Sequence, residues 1–433
     1  MHKVLFIAYL FPPIANSGTR RSLSFANHLP DHGWQPTVLT VQDPPERSCD
    51  PALLAEVRAG TVVERAPRFG AVVARFLDRC GMPSSIGDAL SWRIDNLLQQ
   101  PDEILSWYPA AVRKGVQLHE KHGFDVIYAS GWPWTAFLVA RGISRKTGCP
   151  YVLDFRDTWT PRGTEKWERP GRVRRVVGPM LERFAAKKAA ALVTVTQSLV
   201  EAVGESAGRH AVHCITNGFE PADFGAPAPS TVADQDQFVR IAYTGIWRDD
   251  YGLHDLYRAV ALLQSRGQVG LQRLKIIAAG FKPGPAVAMG VGDFVEEKGY
   301  VPHEQATAMM SAADLLYLSV PLGYYANACL PGKLFEYMGS GSPILAVVPP
   351  ESEVARVLNE VGGAVAVRPN DIDAIAAVLV GLLEGRMASV VSAKAPSRLQ
   401  RYTRAATTAQ LAAVFDAACG KSAAPSAART VAA

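Results

Sequence analysis

The chain has 433 residues, 48% of them hydrophobic, which suits two domains with a core each and excludes global disorder. The formal net charge is only +5, and such a mild basic excess does not by itself indicate a nucleic-acid partner. The six cysteines are scattered, without CxxC or Cys/His ligand spacing, which predicts reduced thiols in a cytoplasmic protein and no metal site. Neither a signal peptide nor a run of about 20 apolar residues is expected from the pattern.

The first elements predict the start of a doubly wound α/β domain. Residues 3–9 form a continuous apolar run typical of a buried parallel strand, residues 19–29 have a helical pattern, and residues 37–41 form the next strand. Gly18 permits a turn where the backbone could approach a ligand, and Arg20-Arg21 place positive charge at the helix start. The loop contains no GxGxxG. An ordinary loop with two solvated arginines is the alternative interpretation.

Residues 44–120 have an irregular and partly helical pattern that indicates no particular contact. Residues 124–130 and 151–157 are then predicted strands, and the second ends in three charged residues: Asp154, Arg156 and Asp157. Ligands of open α/β sheets bind beyond the carboxyl ends of the strands, and charges there are costly unless they are paired or functional. An Asp–Arg pair would explain two of these charges and leaves Asp157 as the candidate polar residue on the substrate side.

Residues 162–188 carry an excess of six positive charges. Nine basic residues stand against three acidic ones: Arg162, Lys166, Arg169, Arg172, Arg174, Arg175, Arg183, Lys187 and Lys188 against Glu165, Glu168 and Glu182. One interpretation is a solvated helix face, and the other is a patch for peripheral contact with an anionic membrane. The charge pattern alone does not separate the two.

A second domain is predicted after a linker rich in Pro, Ala and Asp at residues 221–237. Its predicted strands follow in order: residues 239–245, 274–280, 294–301, 314–320 and 344–348. Residues 399–418 are predicted as one long helix, and the Ala/Ser-rich tail is predicted to be disordered.

The stretch 330–346 passes from loop to helix to turn to strand. Free backbone N–H groups at a helix start can hold a phosphate, Gly332 allows a close approach, and Lys333 adds a positive charge. Glu336 lies one turn beyond Lys333, so both side chains can share a face, and its carboxylate can accept two hydrogen bonds from a diol such as a ribose. The alternative is an ordinary helix start with a surface Lys–Glu pair.

This stretch resembles the nucleotide-sugar site of retaining, family 4-like glycosyltransferases of the GT-B fold. The resemblance is to the branch that carries Pro-x-Lys-Leu-Phe-Glu-Tyr together with Asp-Phe-Arg-Asp-x-Trp, here at residues 154–159. It implies an α/β fold with two Rossmann-like, doubly wound domains facing a cleft. The implied boundaries are residues 1–220 with 403–418 for the acceptor-side domain, 221–237 for the linker, 238–402 for the donor domain, and 419–433 for the disordered tail.

The resemblance also implies roles for individual residues. The implied donor-binding residues are Gly18, Gly245, Val301, Leu330, Pro331, Gly332, Lys333 and Glu336, with Glu336 on the ribose. The implied catalytic residues are Asp157, Lys333 and Arg248, and the acceptor-side residues are Arg156 and Asp157. The sequence departs from the family pattern where a second glutamate is usual, at Ala328, and where two basic residues are usual, at Ile246 and Tyr251.

The function expected from the resemblance is transfer of a sugar from a nucleoside diphosphate sugar to a hydroxyl acceptor, with retention. The acceptor would be a glycan, a lipid-linked precursor or a natural product. The enzyme is expected to need no cofactor and no metal, to bind no nucleic acid, and to work in the cytoplasm or peripherally at the inner face of the membrane. Another GT-B enzyme such as a nucleotide-sugar epimerase, or a non-catalytic GT-B partner subunit, remains an alternative.

Overall fold

A computed structural model describes residues 1–42, 44, 49–70, 72, 78–79, 101–160, 172–208, 211–225, 238–248, 251–320, 328–386, 391 and 393–420. The chain divides into two compact units. Unit 1 comprises residues 1–216 and the chain from residue 404 onwards, and unit 2 comprises residues 217–403. Most of the predicted linker (residues 226–237) and of the predicted tail (residues 421–433) lies outside the described part, as do residues 162–171 of the basic segment.

Strands and helices alternate along unit 1. Its strands are β1 (His2–Ile7), β2 (Trp34–Val41), β3 (Val62–Ala66), β4 (Val126–Gly131), β5 (Tyr151–Phe155), β6 (Ala191–Thr194) and β7 (Val212–Cys214). The helices between them are α1 (Ser17–His28), α2 (Tyr108–His122), α3 (Thr135–Thr147), α4 (Arg172–Ala186) and α5 (Gln197–Ala207).

The strands of unit 1 form one parallel sheet in the order β3-β2-β1-β4-β5-β6-β7. Strands β4 and β5 are buried along their whole length, which explains why their sequences are mainly apolar rather than alternating, with the buried Asp154 of β5 as the charged exception. The strand order reverses between β1 and β4. In this arrangement the loops after β1 and after β4 diverge at the carboxyl edge of the sheet and leave a crevice between them.

Local polar contacts fix where the helices of unit 1 begin and end. The side chain of Asn16 accepts a hydrogen bond from the backbone N–H of Gly18 and so caps α1. The carboxylate of Asp102 accepts from both the N–H and the hydroxyl of Thr135, the first residue of α3. Gly123 and Gly148 end α2 and α3 in the left-handed conformation that glycine adopts without strain.

Unit 2 repeats the same alternation. Its strands are β8 (Val239–Thr244), β9 (Leu274–Ala279), β10 (Val295–Glu297), β11 (Leu315–Ser319), β12 (Ile344–Val347) and β13 (Ala364–Val367). Its helices are α6 (His254–Ser265), α7 (Pro285–Ala288), α8 (His303–Ser311), α9 (Gly332–Ser340), α10 (Glu353–Val361), α11 (Ile372–Leu383) and α12 (Pro396–Leu399). The sheet is again parallel, in the order β10-β9-β8-β11-β12-β13, and its order reverses between β8 and β11.

A last helix, α13 (Arg404–Ala418), returns to unit 1. Its buried side chains Leu411 and Phe415 join the same core cluster as Val4 and Phe6 of β1. The indole nitrogen of Trp34 donates to the carboxylate of Asp416 at 3.2 Å. Unit 1 is therefore built from both ends of the chain.

Two predicted elements differ from the structure. Residues 399–418 are not one helix, because α12 ends at Leu399, a 3-10 turn covers Gln400–Tyr402, and α13 begins only at Arg404. The interruption is held by Tyr402, whose ring is buried against Phe335 and whose carbonyl accepts from the N–H of Phe219. The described parts of the irregular stretch 44–120 contain a strand, β3, and a long helix, α2.

Candidate functional site

The reversal of strand order gives each unit a crevice at the carboxyl edge of its sheet, and most of the predicted site residues lie at these two places. In unit 2, Gly245 directly follows β8, and Leu330 to Glu336 lead from the segment after β11 into α9. In unit 1, Gly18 lies in the first turn of the helix after β1, and Arg156 and Asp157 directly follow β5. Each group is described within its own unit.

Two glycines bring backbone segments close together at the crevice of unit 2. Gly245 has a φ of 156°, and a Cβ there would stand 3.0 Å from the Lys333 Nζ and 3.1 Å from the Tyr243 hydroxyl. Gly280, which follows β9, has a φ of 106°, and its Cβ would stand 2.5 Å from the carbonyl oxygen of Gly245. Glycine at both positions lets two neighbouring loops touch through their backbones.

Helix α9 presents its amino terminus at this crevice. Pro331 occupies the capping position and, among the described residues, no side chain caps the helix. The first helical residue, Gly332, is exposed, and a Cβ there would meet no atom of the described residues within 4 Å. A helix start with uncapped N–H groups and open space beside it is suited to an anion.

Lys333 contributes a positive charge to the same place. Its Nζ lies 4.2 Å from the centroid of the Tyr243 ring, a cation–π contact that fixes the ammonium against β8. Burial lowers the pKa of Lys333 from 10.5 to about 7, and the nearby Cys329 opposes this shift. Keeping Lys333 protonated in this position therefore costs free energy, and an anion bound beside it would lower that cost.

The position of α9 against β8 is set by the residue that follows Glu336. The buried hydroxyl of Tyr337 accepts a hydrogen bond of 2.9 Å from the backbone N–H of Thr244 at the end of β8. Burial raises the pKa of Tyr337 to about 12, so it stays a neutral hydroxyl. Glu336 itself is half-buried, and Leu330 is buried in the core beneath the helix start.

The remaining predicted residues of unit 2 lie on loops at the same edge of the sheet. Arg248 is exposed and forms an isolated β-bridge with Tyr251: its N–H donates to the Tyr251 carbonyl, and its guanidinium lies 5.8 Å from the Tyr251 ring. Val301 is half-buried four residues beyond β10 and follows the exposed Tyr300.

The crevice of unit 1 is organised by Arg156. Its Nε donates to the carbonyl of Gly131 at 2.6 Å, and its Nη2 donates to the carbonyl of Trp132. A Cβ at Gly18 would overlap this guanidinium, so glycine at position 18 makes room for Arg156. Burial lowers the pKa of Arg156, although Asp157 opposes the shift. The structure thus brings Gly18 and Arg156 together.

Asp157 is exposed beside Arg156. The surrounding protein raises the pKa of its carboxyl group by desolvation, and the positive charge of Arg156 opposes that shift. A carboxylate in this position can accept a hydrogen bond from a hydroxyl group of a ligand. The geometry is compatible with contact to a polar substrate on this side.

Asp154 is paired, but with a residue that the sequence did not indicate. Arg21 donates to both carboxylate oxygens of Asp154, at 2.8 and 2.9 Å, and to the carbonyls of Ile215 and Thr216. The hydroxyl of Tyr128 donates to the same carboxylate at 2.6 Å. The expected pair of neighbouring charges is therefore wrong, because Asp154 binds Arg21 and Arg156 donates to backbone carbonyls.

Metal-ligating residues do not gather within the described part of the chain. No three His, Cys, Asp or Glu side chains there are grouped so that they could hold a metal ion. The two aspartates of the Asp-x-Asp sequence at residues 371–373 are both in structural contacts, since Asp371 caps α11 and Asp373 pairs with Arg266. In the same described part, no helix is long and apolar enough to cross a bilayer.

Sequence reasoning missed three residues that shape these places. Tyr243 was seen only as part of a strand, yet its ring supports the Lys333 ammonium. Gly280 was seen only as a strand end, and its lack of a Cβ is the feature that makes room for the Gly245 loop. Arg21 was weighed as a solvated or ligand-facing charge. The sequence signal for the close approach of these two loops was a glycine directly after each strand, Gly245 after β8 and Gly280 after β9.

Both units have the 3-2-1-4-5-6 strand order of a Rossmann-like sheet, to which unit 1 adds a seventh strand, and the chain matches solved structures of the GT-B fold. It is similar to sucrose-phosphate synthase from Thermosynechococcus elongatus, with a TM-score of 0.62, 15% identity, and coverage of 96% of this chain and 99% of that one. It is equally similar to Anabaena Alr3699/HepE in complex with UDP-glucose, with a TM-score of 0.62, 17% identity and coverage of 96% and 100%. TarM matches with a TM-score of 0.60, 10% identity and coverage of 96% and 99%.

Part of the sequence also matches a protein-family model. Residues 18–218, nearly all of the first part of unit 1, match the family model of the glycosyl transferase 4-like domain. No curated protein matches the chain in sequence.

Proposed function

We propose that the protein is a glycosyltransferase that moves a sugar from a nucleoside diphosphate sugar to a hydroxyl acceptor with retention of the anomeric configuration. The match of residues 18–218 to the glycosyl transferase 4-like domain supports the class. The observation that carries the proposal for the reaction is the Lys333 ammonium, held over Tyr243 at the amino terminus of α9 and at the point where the strand order of unit 2 reverses.

The donor diphosphate would lie against the start of α9. The N–H groups of Gly332 and Lys333 and the Lys333 ammonium would stabilise the negative charge that develops on the departing diphosphate. Leu330 and Pro331 would shape the turn before the helix, and Gly245 would let the diphosphate approach the backbone after β8. The exposed guanidinium of Arg248 would be a further cation for this role.

The nucleoside would extend along the carboxyl edge of the same sheet. The carboxylate of Glu336 would accept hydrogen bonds from the ribose hydroxyls, and backbone groups around Val301 would contact the nucleobase. A uridine nucleotide is the first candidate, because Anabaena Alr3699/HepE was solved with UDP and with UDP-glucose.

Unit 1 would bind the acceptor. Asp157 is the proposed catalytic residue on this side, because its exposed carboxylate can accept a hydrogen bond from the attacking hydroxyl. Arg156, fixed by two carbonyls, would hold the neighbouring part of the substrate, with Gly18 making room for it. Three protein cations are proposed at the diphosphate and the acceptor, and we propose on this basis that the reaction needs neither a metal nor a cofactor. We also propose that the protein works in the cytoplasm.

A nucleotide panel tests the donor site. We expect one of UDP, GDP, dTDP, ADP and CMP to raise the unfolding temperature clearly, and to do so equally with Mg²⁺ or EDTA. A nucleotide present at about 100 times its dissociation constant stabilises a fold by roughly 2.7 kcal/mol. No shift with any nucleotide at high concentration would contradict a donor site, and a shift that depends on Mg²⁺ would contradict metal independence.

Turnover separates the transferase from the alternatives. We expect the matching nucleotide sugar to be consumed quickly only when a hydroxyl acceptor is added, and NMR of the product to show the anomeric configuration of the donor. Conversion of the donor sugar without any acceptor would indicate an epimerase. Donor binding without turnover across the acceptor panel would indicate a non-catalytic protein.

A further inference from the structure

Helix α4 (Arg172–Ala186) carries an exposed apolar stripe. Val176, Met180 and Phe184 follow one another at intervals of four residues, so they lie on one face, and they are 65%, 67% and 52% exposed. Single exposed apolar side chains are common on soluble proteins, but three on consecutive turns of one helix form a continuous surface.

The opposite face of the same helix is firmly seated in unit 1. Ala185 and Ala186 are buried in the core, and Leu181 packs against it. The carboxylate of Glu182 is buried and accepts from the hydroxyl of Ser206 at 2.5 Å and from that of Thr160. This packing fixes the rotation of the helix, so the apolar stripe is directed away from the unit.

Positive charge borders the stripe. Arg183, Lys187 and Lys188 are exposed on or directly after the last turn of α4, and the guanidinium of Arg141 lies 3.9 Å from the centre of the Phe184 ring. The only acidic residue between positions 176 and 190 is Glu182, which is buried. The surface that α4 presents is therefore apolar and cationic, with no exposed carboxylate.

This combination fits the surface of an anionic bilayer. Apolar side chains on one helix face can insert at the boundary between headgroups and acyl chains, while long cationic side chains reach back to the phosphates. A nucleic acid would meet the same cations, but it offers nothing to Val176, Met180 and Phe184. A protein partner would need acidic groups around an apolar groove.

We propose that the exposed face of α4, formed by Val176, Met180, Phe184, Arg183, Lys187 and Lys188, binds the surface of an anionic lipid membrane. The inference does not rest on the proposed transfer reaction, because it concerns a surface and not the donor site. It assigns residues 176–188, the described end of the basic segment, as a peripheral membrane contact, and the apolar stripe distinguishes these residues from a solvated helix face.

Vesicle co-sedimentation of the full chain, without nucleotide or acceptor, tests the proposal. We expect binding to vesicles of phosphatidylcholine with phosphatidylglycerol, weak binding to phosphatidylcholine alone, and release by salt. Lys187→Gln with Lys188→Gln should weaken partitioning about 30-fold, since each surface cation contributes about a factor of five. Met180→Asn with Phe184→Asn should weaken it at least about ten-fold while the cations remain.

Matched controls exclude a general effect of charge or hydrophobicity. Val269→Asn removes an apolar side chain that is 87% exposed in unit 2, and Lys121→Gln with Lys282→Gln removes two exposed lysines elsewhere. These variants should bind as the wild type does, and all variants should keep its unfolding temperature. Equal binding by the α4 variants, or no binding to anionic vesicles, would overturn the proposal. A dimer in sedimentation velocity that only the Met180/Phe184 variant abolishes would instead assign the stripe to a second copy.

Discussion

The ammonium nitrogen of Lys333 lies 4.2 Å from the centroid of the Tyr243 ring, so the first turn of α9 and the central strand β8 hold one cation between them. Such a contact stabilises a cation by about 0.5–2 kcal/mol, less than burial costs this ammonium, and its pKa is accordingly lowered to about 7. An anion bound beside Lys333 should raise that pKa again. By the same linkage, protonation of Lys333 should strengthen anion binding.

Nucleotide affinity should therefore depend on the protonation of Lys333. The free protein holds a charged Lys333 below pH 7 and an increasingly neutral one above it, so UDP binding takes up a proton. We expect the dissociation constant to rise between about pH 7 and about pH 9, by at most ten-fold per pH unit. Calorimetry in two buffers of different ionisation enthalpy measures the proton uptake directly.

Two variants at the same position isolate this effect. Lys333→Arg keeps its charge throughout the range and should bind UDP with a flat pH profile, whereas Lys333→Met should bind weakly with a flat profile. Lys282→Arg, an exposed lysine of the same unit, should keep the wild-type profile. A steep profile in Lys333→Met would mean that another group titrates.

Gly332→Ala tests whether the ligand lies at the start of α9. Within the part of the chain that the structure describes, a Cβ at this position meets no atom within 4 Å, and alanine favours a helix by about 0.5–1 kcal/mol over glycine. We expect equal or higher thermal stability together with a loss of UDP affinity of at least about ten-fold, because the methyl group would occupy the space of a phosphate. Gly225→Ala, which also meets open space, is the control. Unchanged affinity in Gly332→Ala would move the diphosphate elsewhere.

Glu336→Ala should weaken nucleotide binding through the ribose alone. The carboxylate is proposed to accept charge-assisted hydrogen bonds, each of which contributes about 1.5–3 kcal/mol. The loss should therefore appear with UDP and largely vanish with its 2′,3′-dideoxy analogue, measured by calorimetry on both proteins. Glu351→Ala, an exposed acid of the same unit, should change neither. An equal loss for both nucleotides would assign Glu336 a structural role.

Asp157→Asn should separate binding from transfer. The variant keeps the size of the side chain and lies in unit 1, so we expect UDP affinity to stay within about two-fold of wild type. The rate of transfer to the acceptor should fall by about 100-fold or more, as for other positioned acid–base groups. Asp31→Asn, an exposed acid of the same unit, should transfer normally. Normal transfer by Asp157→Asn would remove this residue from the catalytic set.

The buried pair of Arg21 and Asp154 should be the most sensitive polar contact of unit 1. Side-chain exposure is 4% and 0%, so Arg21→Met would leave an uncompensated buried carboxylate and cost about 3–5 kcal/mol. Tyr128→Phe removes one hydrogen bond to the same carboxylate and should cost about 1–3 kcal/mol. Urea unfolding followed by hydrogen exchange in β1 and β5 reports on this unit specifically. A cost below about 1 kcal/mol for Arg21→Met would contradict this account.

The strands were predictable because a parallel sheet covered on both faces needs continuous apolar runs. Residues 274–280 and 344–348 were expected as strands, and the structure has β9 and β12 within one residue of those limits. The Rossmann-like class followed from the alternation of such runs with helices, and the fold confirms it.

Contacts between distant residues were not predictable in the same way. Arg21 and Asp154 are 133 residues apart, and only the folded sheet brings α1 beside the end of β5. The Lys333–Tyr243 contact likewise joins a helix start to a strand that precedes it by 90 residues, and local pattern gives no information on such a partner. The break before α13 depends on Tyr402 packing against Phe335, which no propensity indicates.

The return of α13 to unit 1 also has a consequence for biosynthesis. A ribosome delivers β1 to β7 long before it delivers residues 404–418, and all of unit 2 is translated in between. Until then Val4, Phe6 and Tyr128 lack Leu411 and Phe415, so the nascent first unit exposes an apolar surface that invites aggregation. All residues of unit 2 are translated before α13, so unit 2 can complete its fold before unit 1 does.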